Sequence, residues 1–257
     1  MTASATPHGQ GPRGAGDLFS AHAADYAKFR PGYPPALFDW IASLTSSHDL
    51  AWDCGCGNGQ ATQPLAERYA RVQATDLSPE QLTQAPAHPG VAYRAAPAED
   101  SGLTAASVDL VTIAQALHWF DFDRFYAEVR RVLKPGGVIA AWTYQLLRAE
   151  PAIDALLMDF YRRELGPYWP PQRRWVDRGY QGMPFLFTEI PAPSFEIRLS
   201  WTLVDLLAYL GTWSATRRLI QAEDRDPLPA LGERLGSVWG EGERLIIWPI
   251  AMRVGCV

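Results

Sequence analysis

The sequence predicts an α/β fold: a doubly wound, Rossmann-like sheet of seven strands with antiparallel final strands and a helical lid. Between residues 50 and 143, short apolar runs alternate with helical patterns. That alternation is typical of parallel strands joined by right-handed helical crossovers. An apolar/polar alternation at residues 195–199 and an apolar run at 245–254 predict two further strands. The pattern between these last two strands is helical, with a break near Asp226-Pro227.

The elements of the first half follow from local signals. Strands are predicted at residues 50–54, 72–75, 91–94, 107–114 and 138–143, and helices at 37–44, 62–69, 121–133 and 151–165. Ser78-Pro79-Glu80-Gln81 predicts a helix start, with Ser78 as cap and a glutamine three residues beyond it. Pro249 cannot donate a backbone hydrogen bond, which predicts a bulge or a free edge in the last strand.

Length and composition limit the class of protein. The chain has 257 residues, of which 47% are hydrophobic, enough for one sizeable core. We expect residues 1–17 to form a flexible tail, residues 18–145 a Rossmann-like core, and residues 146–257 a helical lid with the last two strands. A net charge of -5 and the absence of a long uncharged apolar stretch argue against nucleic-acid and membrane partners. Without a signal peptide at its start, the sequence predicts a cytoplasmic protein and leaves the oligomeric state open.

The loop after the first strand carries the most specific signal. In Asp53-Cys54-Gly55-Cys56-Gly57-Asn58-Gly59, three glycines allow a tight turn and close approach of a ligand. A dinucleotide fingerprint would place its third glycine one residue later, at Gln60. Asp76 ends the second strand, where a carboxylate can accept two hydrogen bonds from a ribose diol. Cys54 and Cys56 are a poor metal site, so we expect no metal.

These motifs resemble those of class I S-adenosylmethionine (SAM) methyltransferases with a type 11 methyltransferase domain. The resemblance covers residues 18–145 and rests on DCGCGNG, ATDLS and VRRVLKPGGVIA. FSAHAADYAKFRPGYP, PAED and AQALHWFD are similar to the branch that contains trans-aconitate methyltransferases. The resemblance implies a transferase that binds SAM and releases S-adenosylhomocysteine.

The resemblance also implies roles for individual residues. Asp53 and the loop glycines would cradle the methionine part of SAM, Asp76 would hold the ribose hydroxyls, and Leu77 would pack on the adenine. The remaining implied cofactor residues are Ala98 and Glu99 at the adenine edge, Gln115 near the methionine moiety, and Tyr26 and Arg30 closing the site, with Arg30 beside the SAM carboxylate. The family often has an Asp before the Ala-Glu pair, whereas this chain has Pro97, which puts a carboxylate contact to the adenine amino group in doubt.

The acceptor is expected to be a small molecule, with methylation of a carboxylate to a methyl ester as the first hypothesis. Arg173 and Arg178 could bind an acidic substrate or could form a solvated surface, and Trp119 and Trp213 could be pocket wall or core. His118, after the fourth strand, is either a wall residue or a general base. A carboxylate acceptor needs no base, whereas a neutral phenol or amine would need one.

Three alternatives remain at this point. They are an O- or N-methyltransferase of a neutral phenol or amine, a nicotinamide-dependent oxidoreductase, and a SAM-binding protein without catalysis.

Overall fold

The structure, a computed structural model, describes residues 31–257. The predicted tail at residues 1–17 lies outside the described residues. Within them the strands are β1 (Leu50–Cys54), β2 (Arg71–Asp76), β3 (Val91–Ala95), β4 (Val108–Ala114), β5 (Leu133–Tyr144), β6 (Thr188–Glu189), β7 (Phe195–Trp201) and β8 (Arg244–Cys256). They form one sheet in the order β3-β2-β1-β4-β5-β8-β6, with β7 also paired to β8. Strands β1 to β5 pair in parallel, and β8 runs antiparallel to β5, β6 and β7. The predicted α/β class with antiparallel final strands is confirmed.

The helices are α1 (Pro35–Ser43), α2 (Thr62–Ala66), α3 (Pro79–Thr83), α4 (Phe122–Val132), α5 (Pro151–Asp159), α6 (Arg173–Asp177), α7 (Leu203–Gly211), α8 (Ser214–Glu223) and α9 (Leu228–Trp239). The Ser78 side chain accepts a hydrogen bond from the Gln81 amide at the start of α3, as predicted. The helix predicted over residues 151–165 instead changes at Phe160 into a π-helical turn, Phe160–Glu164. Hydrophobic periodicity alone does not distinguish these two windings.

Two details differ from the prediction. The sheet has eight strands rather than seven, because Thr188–Glu189 pairs with Cys256 and Gly255. Two residues are too few for a strand to show alternation, and an ion pair of Glu189 with Arg253, at 2.7 Å, fixes the segment.

Pro249 marks neither a bulge nor a free edge, since β8 lies between β5 and β7 and Pro249 pairs in register with Glu196. Its carbonyl accepts from the Gln145 amide just after β5 ends. The amide and carbonyl of a strand residue face the same neighbour, so β7 loses no bond.

Buried apolar side chains cover both faces of the sheet. On one face, α1, α5 and α7–α9 share a continuous core in which Phe38, Trp142 and Trp248 are fully buried. On the other, α4 packs through Phe125 and Val129 against Trp52. The C-terminal helices therefore pack on the sheet itself. No helix in residues 31–257 is long and apolar enough to cross a membrane.

A charge cluster holds the amino-terminal edge of the parallel strands. Asp109, at the start of β4, is almost fully buried and accepts hydrogen bonds from the Asp49 and Leu50 amides. Lys134, at the start of β5, binds the same carboxylate at 2.6 Å. The buried Asp109 carboxylate at this edge is therefore paired within the protein. The glycine-rich loop lies at the opposite edge of the sheet, at the carboxyl ends of the strands.

Candidate functional site

The glycine-rich loop leaves β1 in a conformation that glycine favours. Gly55 has φ +68° and Gly57 has φ +54°. A Cβ on Gly55 would lie 2.6 Å from the Cβ of Ala116, so the loop packs directly on the segment after β4. A Cβ on Gly57 would meet only Gln81, at 3.9 Å. The loop is thus tightly backed on one side and open to a ligand at Gly57.

Asp76 receives the loop at the end of β2. Its carboxylate accepts from the Gly57 amide at 2.8 Å and from the Ser78 amide at 2.9 Å. Burial raises the pKa of the Asp76 carboxyl, and the backbone hydrogen bonds oppose that rise. The Leu77 amide is a further partner of this carboxylate. A carboxylate offers about four acceptor positions, so these amides do not use all of them.

Asp53 lies behind the loop. It is fully buried and accepts from the Thr62 hydroxyl at 2.6 Å and the Thr112 hydroxyl at 3.0 Å. Burial outweighs these hydrogen bonds and raises its pKa to about 6. Asp53 therefore ties the loop to α2 and β4 and is not among the residues that line the adjoining cavity. Gly59 is likewise absent from the lining, since its Cα faces the Tyr93 hydroxyl.

A cavity of about 780 Å³ opens at the carboxyl ends of the parallel strands. Of the predicted cofactor residues, it is lined by Gly55, Gly57, Asp76, Leu77, Ala98, Glu99 and Gln115. Leu77 is 64% exposed, and Ala98 is buried. Glu99 accepts a hydrogen bond from the Asp121 amide at 3.0 Å. The cavity is large enough for a nucleoside-sized ligand.

Several residues of this wall were not predicted from the sequence. Tyr33, Asn58, Ser78, Gln81 and Tyr144 also line it. The helix-cap pattern predicted that Ser78 begins α3. No sequence pattern indicated that Ser78 also lines the cavity. Tyr26 and Arg30, predicted to close the site, lie outside the described residues.

A second cavity, of about 80 Å³, lies between β5 and the C-terminal helices. Its wall includes the aromatic residues Trp119, Tyr144, Trp169, Tyr209 and Trp213, and the two arginines Arg173 and Arg217. No aspartate or glutamate is among its described lining residues. Four residues line both cavities: Gln115, His118, Trp119 and Tyr144. We call these four the junction, because they belong to the walls of both cavities.

Arg173 is held in place by its neighbours. Its guanidinium carbon lies 4.6 Å from the ring centroid of Trp169 and 5.3 Å from that of Tyr161. Its Nε donates to the Tyr161 hydroxyl at 2.6 Å and lies 3.3 Å from an Asp177 oxygen. Because Nε makes both contacts, the two terminal nitrogens form an oriented fork of the kind that matches a carboxylate.

The other predicted lid residues differ in position. Arg178 is exposed and lines neither cavity, because it follows the last turn of α6 and faces solvent. Arg217, which the sequence analysis did not select, lines the smaller cavity from α8. Trp213 is 4% exposed and packs on Tyr161 and Trp169, so it is both core and cavity wall.

His118 is a neutral residue of the junction. Its Nδ1 lies 3.2 Å from the hydroxyl of Tyr180, which is fully buried. Burial, with a smaller contribution from Arg173, lowers the His118 pKa to about 3. The imidazole is therefore uncharged at neutral pH and adds no positive charge beside the arginines.

Comparisons with known proteins identify relatives of this chain. Residues 52–141 match the model of a family described as a methyltransferase domain. A putative methyltransferase of Dictyostelium discoideum is 33% identical over 223 residues, covering 85% of each chain. The solved structure of a putative type II methyltransferase from Anaeromyxobacter dehalogenans is 47% identical, with a TM-score of 0.83, and covers 89% of this chain and 98% of that one. An uncharacterized methyltransferase of Mycobacterium bovis is 40% identical over 120 residues, about half of each chain.

The chain belongs to the class I SAM-dependent methyltransferases of this methyltransferase-domain family. This membership decides against the nicotinamide oxidoreductase and the SAM-binding protein without catalysis.

Proposed function

We propose that this enzyme methylates a small carboxylate to its methyl ester, with SAM in the larger cavity and the acceptor in the smaller one. The observation that carries the proposal is that the four junction residues line both cavities, with two arginines and no described acid lining the smaller one. Similarity to the trans-aconitate methyltransferase branch in AQALHWFD supports the same acceptor class.

The residues of the larger cavity fit SAM. Asp76 retains acceptor positions for the ribose hydroxyls, Leu77 offers an exposed apolar surface for the adenine, and Gly57 leaves space beside the backbone. When bound, SAM supplies a sulfonium methyl group: the O–C bond to the acceptor forms as the S–C bond breaks, and sulfur keeps the electron pair.

Methylation of a carboxylate requires no acid or base catalysis by the protein. No proton leaves such an acceptor at neutral pH, so alignment and exclusion of water are the main requirements. Arg173 and Arg217 can hold the acceptor carboxylate or a second acidic group, and the aromatic wall can hold its apolar part. Neutral His118 leaves the attacking oxygen without a competing cation on the junction side.

One observation favours the alternative, a neutral phenol or amine. His118 lies at the junction as a neutral imidazole, which is the form that accepts a proton. Its lowered pKa, however, makes it a weak base. We therefore keep this as the second candidate.

A turnover assay distinguishes the two acceptor classes. Release of S-adenosylhomocysteine is followed with small mono-, di- and tricarboxylates in one panel and neutral phenols and amines in another. The proposal predicts turnover on carboxylates, with a product methyl group that is released by mild base. Turnover on phenols or amines alone, with a base-stable product, would keep the fold and the cofactor and discard the ester.

A further inference from the structure

Gln115 combines backbone strain with an unsatisfied side-chain donor. It follows β4 directly and has φ +60°, a conformation that is uncommon for a residue with a long side chain. Its backbone amide donates to the Trp142 carbonyl at 2.9 Å, which anchors this turn to β5. Such strain persists where the surrounding structure fixes it, and it clusters at ligand sites.

Only one of the two polar atoms of the Gln115 side-chain amide has a hydrogen-bond partner among the described residues. Its Oε1 accepts a hydrogen bond from the Thr143 hydroxyl at 2.7 Å. Its Nε2 is buried and has no hydrogen-bond partner among residues 31–257. Buried polar groups in native proteins are nearly always paired, so this donor is left for a water or a ligand.

Gln115 lines both cavities, so a ligand in either one could accept from it. It belongs to the junction and lines the smaller cavity together with Arg173. A carboxylate acceptor in the smaller cavity has two oxygens. One would attack the methyl group, and the protein could bind the other. The side-chain amide of Gln115 can donate to the second oxygen.

We propose that Gln115 Nε2 donates a hydrogen bond to the non-attacking oxygen of the acceptor carboxylate and so selects acidic acceptors. This inference rests on the proposed function. It differs from the role that family resemblance implies, in which Gln115 approaches the methionine part of the cofactor. The two roles separate experimentally, because one concerns affinity for the acceptor and the other affinity for the cofactor.

Gln115→Glu is the most direct test. It keeps the oxygen that accepts from Thr143 and replaces the amide donor with a negatively charged acceptor. Gln84→Glu, at an exposed position outside both cavities, makes the same chemical change as a control. Gln115→Met removes hydrogen bonding without adding charge and provides a second variant if the first fails to fold. Thermal unfolding verifies that each variant is native.

The expected result is a rise of about 10- to 100-fold in the KM for the carboxylate in both Gln115 variants. Calorimetry should give a Kd for S-adenosylhomocysteine within about twofold of wild type, consistent with loss of an acceptor contact alone. An unaltered acceptor KM, or a loss of S-adenosylhomocysteine affinity by the same factor, would overturn the inference. A wild-type enzyme that methylates only neutral acceptors would overturn the proposed function and this inference together, and the failure would appear before any substitution.

Discussion

The two cavities are built in different ways. The larger one lies at the carboxyl ends of consecutive parallel strands, and Gly57 and Asp76, only 19 residues apart, are joined by a hydrogen bond. The smaller one combines the junction with Arg173 from α6 and Arg217 from α8. The first has acidic residues such as Asp76 and Glu99 in its wall, and the second has cationic and aromatic side chains. The larger cavity is thus built on the ends of the parallel strands, and the smaller one takes its cationic side chains from separate helices.

The largest expected effect is on the pH dependence of stability and comes from Asp53, the buried carboxyl behind the glycine-rich loop. The Asp53 pKa is raised from 3.8 to about 6 in the folded protein. As pH rises through this interval, the unfolded chain loses the proton first, so the folded state loses stability. Asp53→Asn should remove this dependence and shift the free energy of unfolding relative to wild type by about 3 kcal/mol between pH 3.5 and 7.

Urea unfolding at a series of pH values measures this difference. Asp100→Asn, which removes a solvent-exposed carboxylate, is the matched control. Parallel stability curves for Asp53→Asn and wild type would contradict the account of Asp53 as a buried support of the loop.

The next effect concerns the smaller cavity. Arg173→Ala should raise the KM for a carboxylate about 10- to 100-fold, because a charged hydrogen bond contributes about 1.5–3 kcal/mol. Arg178→Ala removes an exposed arginine five residues away and should leave the KM within about twofold. Steady-state kinetics at saturating SAM compare the two variants. Equal effects in both would mean that the smaller cavity does not hold the acceptor.

A comparable or smaller effect concerns the cofactor. Asp76→Ala should weaken SAM binding by about 1–3 kcal/mol, because two ribose hydroxyls lose their acceptor. Calorimetric titration with SAM measures it, and Asp76→Asn, which keeps one oxygen, should be intermediate. Asp100→Ala provides the exposed control. Unchanged SAM affinity in Asp76→Ala would remove the ribose assignment.

The smallest effect concerns the junction. His118→Asn can retain the contact to Tyr180 while removing Nε2. With a carboxylate acceptor, kcat should change by about threefold or less, since no proton is transferred. With an acceptor that must be deprotonated, the loss should be about 100-fold or more. The profile of kcat against pH should also lack an inflection from His118 between pH 5 and 8, because its pKa lies near 3.

Local patterns predicted the fold, and the family resemblance named seven residues that line the larger cavity. β1 was predicted with its observed bounds, and the cap at Ser78 and the break near Pro227 were also found. Asp53 was harder to place, because sequence position does not reveal whether a side chain faces the cavity or the Thr62 and Thr112 hydroxyls behind it.

The smaller cavity could be predicted only in part. Arg173 and Arg178 both lie in one Trp- and Arg-rich segment, yet only Arg173 packs on Trp169. Arg217 comes from a helix whose pattern gave no sign of a cavity. Its role depends on how α8 packs against the sheet, and that packing is a tertiary property.

The most direct test of the proposed use of the two cavities is a crystal structure of the ternary complex with S-adenosylhomocysteine and a carboxylate that the enzyme methylates. The account predicts the ribose hydroxyls within hydrogen-bond distance of Asp76 and the acceptor carboxylate within hydrogen-bond distance of the terminal nitrogens of Arg173. An acceptor bound outside the smaller cavity, with no contact to Arg173, would contradict the proposal.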